Sequence, residues 1–122
     1  MKTIVAGSRT YNDYDLVKKK LNEHRKTNEL TEIVSGGAKG VDTLGEQYAE
    51  EYNINLKIYR ADWKTHGRAA GPLRNRKMAE YADCLVAVWD GQSKGTKNMI
   101  ETMHKLKKPV YIIWVGEPFV AQ

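Results

Sequence analysis

Short apolar runs rich in β-branched residues alternate along this chain with longer stretches in which apolar positions recur every three or four residues. That alternation is the signature of strand–helix–strand units and a parallel sheet. It predicts strands at Thr3–Ala6, Glu32–Ser35, Asn55–Tyr59, Cys84–Trp89 and Val110–Trp114. Tyr14, Val17 and Leu21 fall on one helical face after the first strand, with Asn12 or Asp13 placed to cap it. The second strand breaks at Gly36-Gly37 into a helix over about 41–52, whose inward face reads Val41, Leu44, Gly45, Tyr48 and Tyr52. The longest irregular stretch, Arg60 to Gly71, is expected to end at Pro72, the first position of a third helix that runs to about Tyr81. Thr96 is expected to cap a fourth helix with the apolar face Met99, Ile100, Met103 and Leu106, and Pro109 opens the last strand.

Five strands with four helical crossovers predict a three-layer α/β sandwich of Rossmann-like type, because right-handed connections put helices on both faces of a parallel sheet. Strand order 3-2-1-4-5 is favoured. It puts the reversal between strands one and four, so the loops after strands one, two and four open into one crevice. The length of 122 residues suits a single domain over 1–116 with a short tail, 117–122, expected to be frayed or docked.

Composition narrows the setting. No apolar run approaches the roughly 18–20 residues of a membrane span, and Met1 leads straight into a strand. The lone Cys84 lies in an apolar strand and reads as a buried, inert thiol, which fits a cytoplasmic location. Twenty Lys and Arg against fifteen Asp and Glu give a net charge of +5, which favours anionic partners without choosing between phosphate metabolites and nucleic acid. Lys18, Lys19, Lys20, Lys105, Lys107 and Lys108 read as solvated helix faces. Trp89 and Trp114, on strands, are more readily core than Trp63. His24, His66 and His104 have no second ligand at metal spacing, so no metal and no cofactor are expected.

Candidate chemistry gathers in the crevice loops. Gly36-Gly37-Ala38-Lys39-Gly40 joins a strand to a helix amino end, where N–H groups and the helix dipole favour an anion; a tight turn is the competing reading. Asp42 either stabilises the first helical turn or acts as a ribose acceptor or catalytic carboxylate. Gly7-Ser8-Arg9 ends the first strand, and the planar fork of Arg9 suits phosphate oxygens. Gly71-Pro72-Leu73-Arg74-Asn75-Arg76 puts cations at a helix amino end against the dipole, which calls for an anionic ligand or a salt bridge to Asp83 or Asp90. Trp63 either stacks on a base or pins its loop.

Four of these pieces occur in the order seen in the SLOG superfamily, and the chain most closely resembles its YspA-like, YpsA-related branch. They are Val5-Ala6-Gly7-Ser8-Arg9, then Val34-Ser35-Gly36-Gly37-Ala38-Lys39-Gly40-Val41-Asp42, then Ala61-Asp62-Trp63 with Gly67 and Ala70-Gly71-Pro72-Leu73-Arg74-Asn75, and Gly95-Thr96. The resemblance implies a Rossmann-like domain that binds nucleotides or their derivatives, often as a sensor, in phage or bacterial proteins. Ser35 to Asp42 and Arg74-Asn75-Arg76 are also similar to the single-stranded-DNA site of the DprA family. Arg76-Lys77 with Ala82-Asp83, and Gly91 to Thr96, are similar to the LOG phosphoribohydrolases. In the latter a glutamate three residues after the loop threonine is catalytic, and here that position is Met99.

The leading reading is therefore a site for a nucleoside phosphate or ADP-ribose-like ligand. Gly36, Gly37 and Gly40 would cradle phosphate, Arg9 and Arg74 would neutralise it, and Ser8, Asn75 and Thr96 would add hydrogen bonds. Gly7, Ser35, Ala38, Trp63, Gly71 and Gly95 complete the expected site. The alternatives are N-glycosidic cleavage, for which Asp42, Glu46 and Asp90 are the candidate carboxylates, and single-stranded nucleic-acid binding. A homodimer is expected on the frequency of such assemblies.

Overall fold

Alternate residues of the two central strands face opposite layers, and this sorts the helices. The computed structural model describes residues 1–116; the expected tail, 117–122, lies outside the described residues. The strands are β1 (Lys2–Gly7), β2 (Glu32–Ser35), β3 (Asn55–Ile58), β4 (Cys84–Trp89) and β5 (Val110–Trp114), all parallel, in the order β3-β2-β1-β4-β5. Ile4 and Ala6 of β1 and Leu85 and Ala87 of β4 point to one side, where Met78, Met99 and Met103 of α4 (Ala70–Tyr81) and α5 (Lys94–Lys105) cover them. Val5, Val86 and Val88 point to the other, under Val17, Leu21, Val41, Leu44 and Tyr48 of α1 (Tyr14–Arg25) and α2 (Val41–Glu51). Both layers close because the connections change sides between β1 and β4, which leaves a crevice at the carboxyl ends of these strands.

Local chemistry departs from the sequence expectation at four points. The stretch after β3 is not irregular: Asp62 accepts the Thr65 N–H at 3.2 Å and caps a turn, α3 (Trp63–His66), which a 3₁₀ turn at Gly67–Ala69 joins to α4. Pro72 is thus the third residue of α4 rather than its first, still within the turn whose N–H groups need no intrahelical partner. Ser93, not Thr96, caps α5, its Oγ accepting both the N–H and the hydroxyl of Thr96. Trp114 is 66% exposed because β5 is an edge strand, and it stacks on Trp89 at 5.3 Å rather than entering the core. Asp13 caps α1 through the Leu16 N–H. Cys84 is buried beside the Thr3 hydroxyl, and burial raises its thiol pKa.

Among the expected surface lysines, Lys108 behaves differently. Its ammonium donates to the carbonyls of Ala79, Glu80 and Ala82 at 2.7, 3.1 and 2.8 Å, and so closes the carboxyl end of α4, where backbone acceptors have no helical partner. Lys18 and Lys20 form exposed ion pairs with Glu51 and Glu23. Replacing Lys108 with alanine is expected to cost about 1–3 kcal/mol, since these acceptors lose a charged donor. Lys19→Ala, on an exposed helix face, should stay within about 0.5 kcal/mol. Urea unfolding of the two variants checks the contrast, and equal midpoints would refute it.

Candidate functional site

The crevice holds a cleft of about 270 Å³ with an apolar floor of Ala6, Met78 and Met99. Its rim comes from each loop the topology brings there: Gly7 and Arg9 after β1, Ala38 and Asp42 after β2, Arg74 and Asn75 on α4, and Ser93, Lys94, Gly95 and Thr96 at the start of α5. A second recess of about 210 Å³ opens next to it, lined by Gly36, Gly37, Arg60, Ala61 and Trp63, and shares Arg9, Ala38 and Arg74 with the first.

Arg74 ties these loops together. Its Nη1 donates to the Gly36 carbonyl at 2.6 Å and its Nε to Asn75 Oδ1 at 2.9 Å. Asn75 in turn donates through Nδ2 to the Gly95 carbonyl and to Asn98 Oδ1, at 3.3 and 2.9 Å. Both ends of the buried Asn75 amide are thereby committed, so it positions α4 against α5. A Cβ at Gly36 would stand 2.8 Å from both Arg74 Nη1 and Asp42 Oδ2, so a side chain there would displace these two charged groups. The neighbouring loop is held just as closely. Val41 N–H donates to the Ser8 carbonyl at 3.1 Å, and Gly40, at φ 75°, would place a Cβ 2.2 Å from that oxygen.

Several residues expected at the site serve its frame. Ser35 Oγ donates to Glu46 Oε2 at 2.6 Å and accepts the Gly37 N–H at 3.1 Å, while the Ala38 N–H donates to Asp42 Oδ2 at 3.2 Å. Two amides of the glycine loop are therefore already committed. Ser8 Oγ pairs with Thr10, and Thr96 with Ser93. Of the three candidate carboxylates only Asp42 lines the cleft. Glu46 lines a groove beside Thr43 and Leu56, and Asp90 accepts the N–H groups of Gln92 and Ser93, which holds its pKa down. The partners proposed for the arginines are otherwise engaged: Asp83 accepts the Lys2 N–H, and Arg76 pairs with Glu80 at 3.6 Å on the surface.

Arg9 is exposed, and among the described residues its guanidinium makes no hydrogen bond or ion pair. Trp63 is both pinned and open, with its ring 3.4 Å from where a Gly71 Cβ would stand and the residue 51% exposed. Sequence reasoning missed Arg60 and Lys94 on the rim and Met78 on the floor. Arg60 is the second residue after β3, as Arg9 is the second after β1, and Met78 lies one helical turn beyond Arg74.

Asp42 carries the main electrostatic tension. Burial pushes its carboxyl up to about 6, against the Ala38 N–H and the nearby Arg74 guanidinium, which both favour the charged form. Burial likewise lowers the Arg74 pKa. With Arg9, Arg74 and Lys94 on its rim against one carboxyl, Asp42, among its lining residues, the cleft is suited to an anion. Among the described residues no group of three or more His, Cys, Asp and Glu side chains is disposed to hold a metal, and no helix is long and apolar enough to cross a membrane.

Comparison with known proteins matches residues 1–66 to the model of the YspA, cpYpsA-related SLOG family. The Gene 61 protein of Mycobacterium phage D29 is 34% identical over 117 residues, which cover 89% of this chain and 93% of that protein. Among solved structures, DNA processing protein A (DprA) from Streptococcus pneumoniae superposes with a TM-score of 0.77 at 21% identity, over 97% of this chain and 51% of that one. The chain thus spans about half the length of that protein, and the likeness is one of fold.

The Asp42 carboxyl generates a pH dependence. Its folded pKa of about 6 lies above the usual 3.8, so its contribution to stability is present below about pH 4 and is lost as pH rises through about 6. The loss is on the order of 3 kcal/mol. Asp42→Asn should remove this slope, so its stability relative to wild type should rise between pH 4 and 7 in urea unfolding. A constant difference would show that Asp42 ionises normally.

Proposed function

The chain belongs to the YspA, cpYpsA-related SLOG family, and on that premise we propose that it binds a nucleotide or nucleotide-derived phosphate ligand, of nucleoside phosphate or ADP-ribose-like type, as a sensor or ligand-binding domain. The observation that carries the reading is Arg9: an exposed, unpartnered guanidinium facing Arg74 across the rim of an apolar-floored cleft. Phosphate oxygens accept charge-assisted bonds from both arginines, and Lys94 adds a third cation at the start of α5. Met78 and Met99, each almost wholly buried, close the cleft beneath these cations with apolar atoms.

N-glycosidic cleavage draws less support. Met99 lies on the cleft floor at the position where the phosphoribohydrolases carry their glutamate, and Asp42, the one candidate carboxylate of the rim, braces the Ala38 amide. Single-stranded nucleic acid remains the second reading, because a further groove with Arg60, His66 and Lys77 continues past the second recess and could follow a longer phosphate backbone. That reading requires oligonucleotide affinity that falls steeply with salt.

Arg9→Ala tests the proposal better than Arg74→Ala, since Arg74 also holds the Gly36 loop to α4 and its loss should lower stability as well as affinity. Arg9→Ala should leave urea stability within about 0.5 kcal/mol of wild type. It should weaken nucleotide binding by about 1.5–3 kcal/mol, measured calorimetrically with AMP, ADP and ADP-ribose. Wild-type affinity in the variant, or no binding of any of the three by the wild type, would overturn it.

A further inference from the structure

The cleft and the second recess meet over the same three residues, Arg9, Ala38 and Arg74. Phosphates resting on the two arginines therefore have room on both sides. Each space alone, at about 270 and 210 Å³, is smaller than the roughly 300–1,000 Å³ of an ordinary small-molecule site, whereas the two joined fall within that range. Their linings also differ. The first has the apolar floor of Ala6, Met78 and Met99, and the second has the ring of Trp63 beside the Arg60 guanidinium. Trp63 is placed for such a role: it opens a turn that Asp62 caps, the bare Gly71 leaves room at its ring edge, and half of the residue stays open to solvent. A large, half-exposed aromatic in a recess that also holds cations is suited to stacking with a planar group.

Resting on the nucleotide reading above, we propose that the ligand is two-headed: two nucleosides joined through a bridging diphosphate, with the bridge on Arg9 and Arg74, one head in the Met78–Met99 cleft and the other stacked on Trp63. A mononucleotide would occupy one recess and leave the other to water. Two cations, Arg9 and Arg74, stand at the junction, where the bridge of such a molecule lies, against one in each recess, Lys94 and Arg60.

The test compares ADP with diadenosine diphosphate, and GDP with the diguanosine compound, by titration calorimetry on the whole chain. The one-headed compounds carry more charge on the same two phosphates, so charge alone favours them and any advantage of the two-headed ones reports the second head. That advantage should be about tenfold or more, the scale of one base–aromatic stack. Trp63→Ala should erase it, so that within this variant the two-headed compounds bind no better than their one-headed partners, and Trp63→Phe, which keeps a stacking face, should restore part of it. Equal wild-type affinities for the one- and two-headed members would overturn the two-headed ligand and leave nucleotide binding standing. Failure of all four compounds to bind, together with AMP and ADP-ribose, would overturn both.

Discussion

The Arg74 guanidinium reaches 2.6 Å to the Gly36 carbonyl and, through Asn75, to the amino end of α5, and the geometry of the crevice depends on this relay. Parallel strands bring three loops to the same mouth, but nothing in the sheet ladder sets how far apart those loops stand. Arg74 and Asn75 do so with directed hydrogen bonds that cross from one helical layer to the loop above the other. The rim is therefore prearranged, and less ordering remains to be done when a ligand binds.

This arrangement has an energetic cost at its centre. Asp42 and Arg74 are withdrawn from water in a place where a well-packed apolar pair would be more stable, and neither charge is fully compensated by the other. Shifted titration in a cleft is commoner at functional sites than elsewhere. The apolar layers on both sides of the sheet are regular, and the strain is confined to the mouth: Gly36 beneath two charged side chains, Gly40 against the Ser8 carbonyl, and an exposed Trp63. Such a division between a regular body and a locally unfavourable mouth fits the binding role proposed for it.

Much of this was legible in the residues. The continuous apolar runs Ile4-Val5-Ala6 and Leu85-Val86-Ala87-Val88, set between stretches with the helical spacing of Val17 and Leu21, led to the sandwich and its strand order, because parallel strands buried on both faces are apolar throughout. The gathering of Gly7, Arg9, Ala38, Asp42 and Thr96 at one cleft followed from that order, while Arg74, on the helix after β3, was singled out by its cationic place near a helix amino end. What escaped were roles set by partners distant in sequence. Lys108 looked like a surface charge until the end of α4 placed three carbonyls around it, and Trp114 looked like core although the expected strand order already put β5 at an edge, where its ring stacks on Trp89. Ser93 and Thr96 are both good caps, and only the path of the backbone after Asp90 decided between them.

By itself the sequence determined the fold class, the topological switch point and the residues that would surround it, since these follow from local periodicity, turn chemistry and the handedness of crossovers. The tertiary structure alone decided which of those residues are free. Asn75, Ser35, Glu46 and the Gly37 amide are committed to one another or to the frame, while Arg9 is not. The reason is physical. A hydrogen bond is satisfied by whichever partner the packed chain brings within about 3 Å, and a list of donors and acceptors cannot specify that choice before the layers have closed.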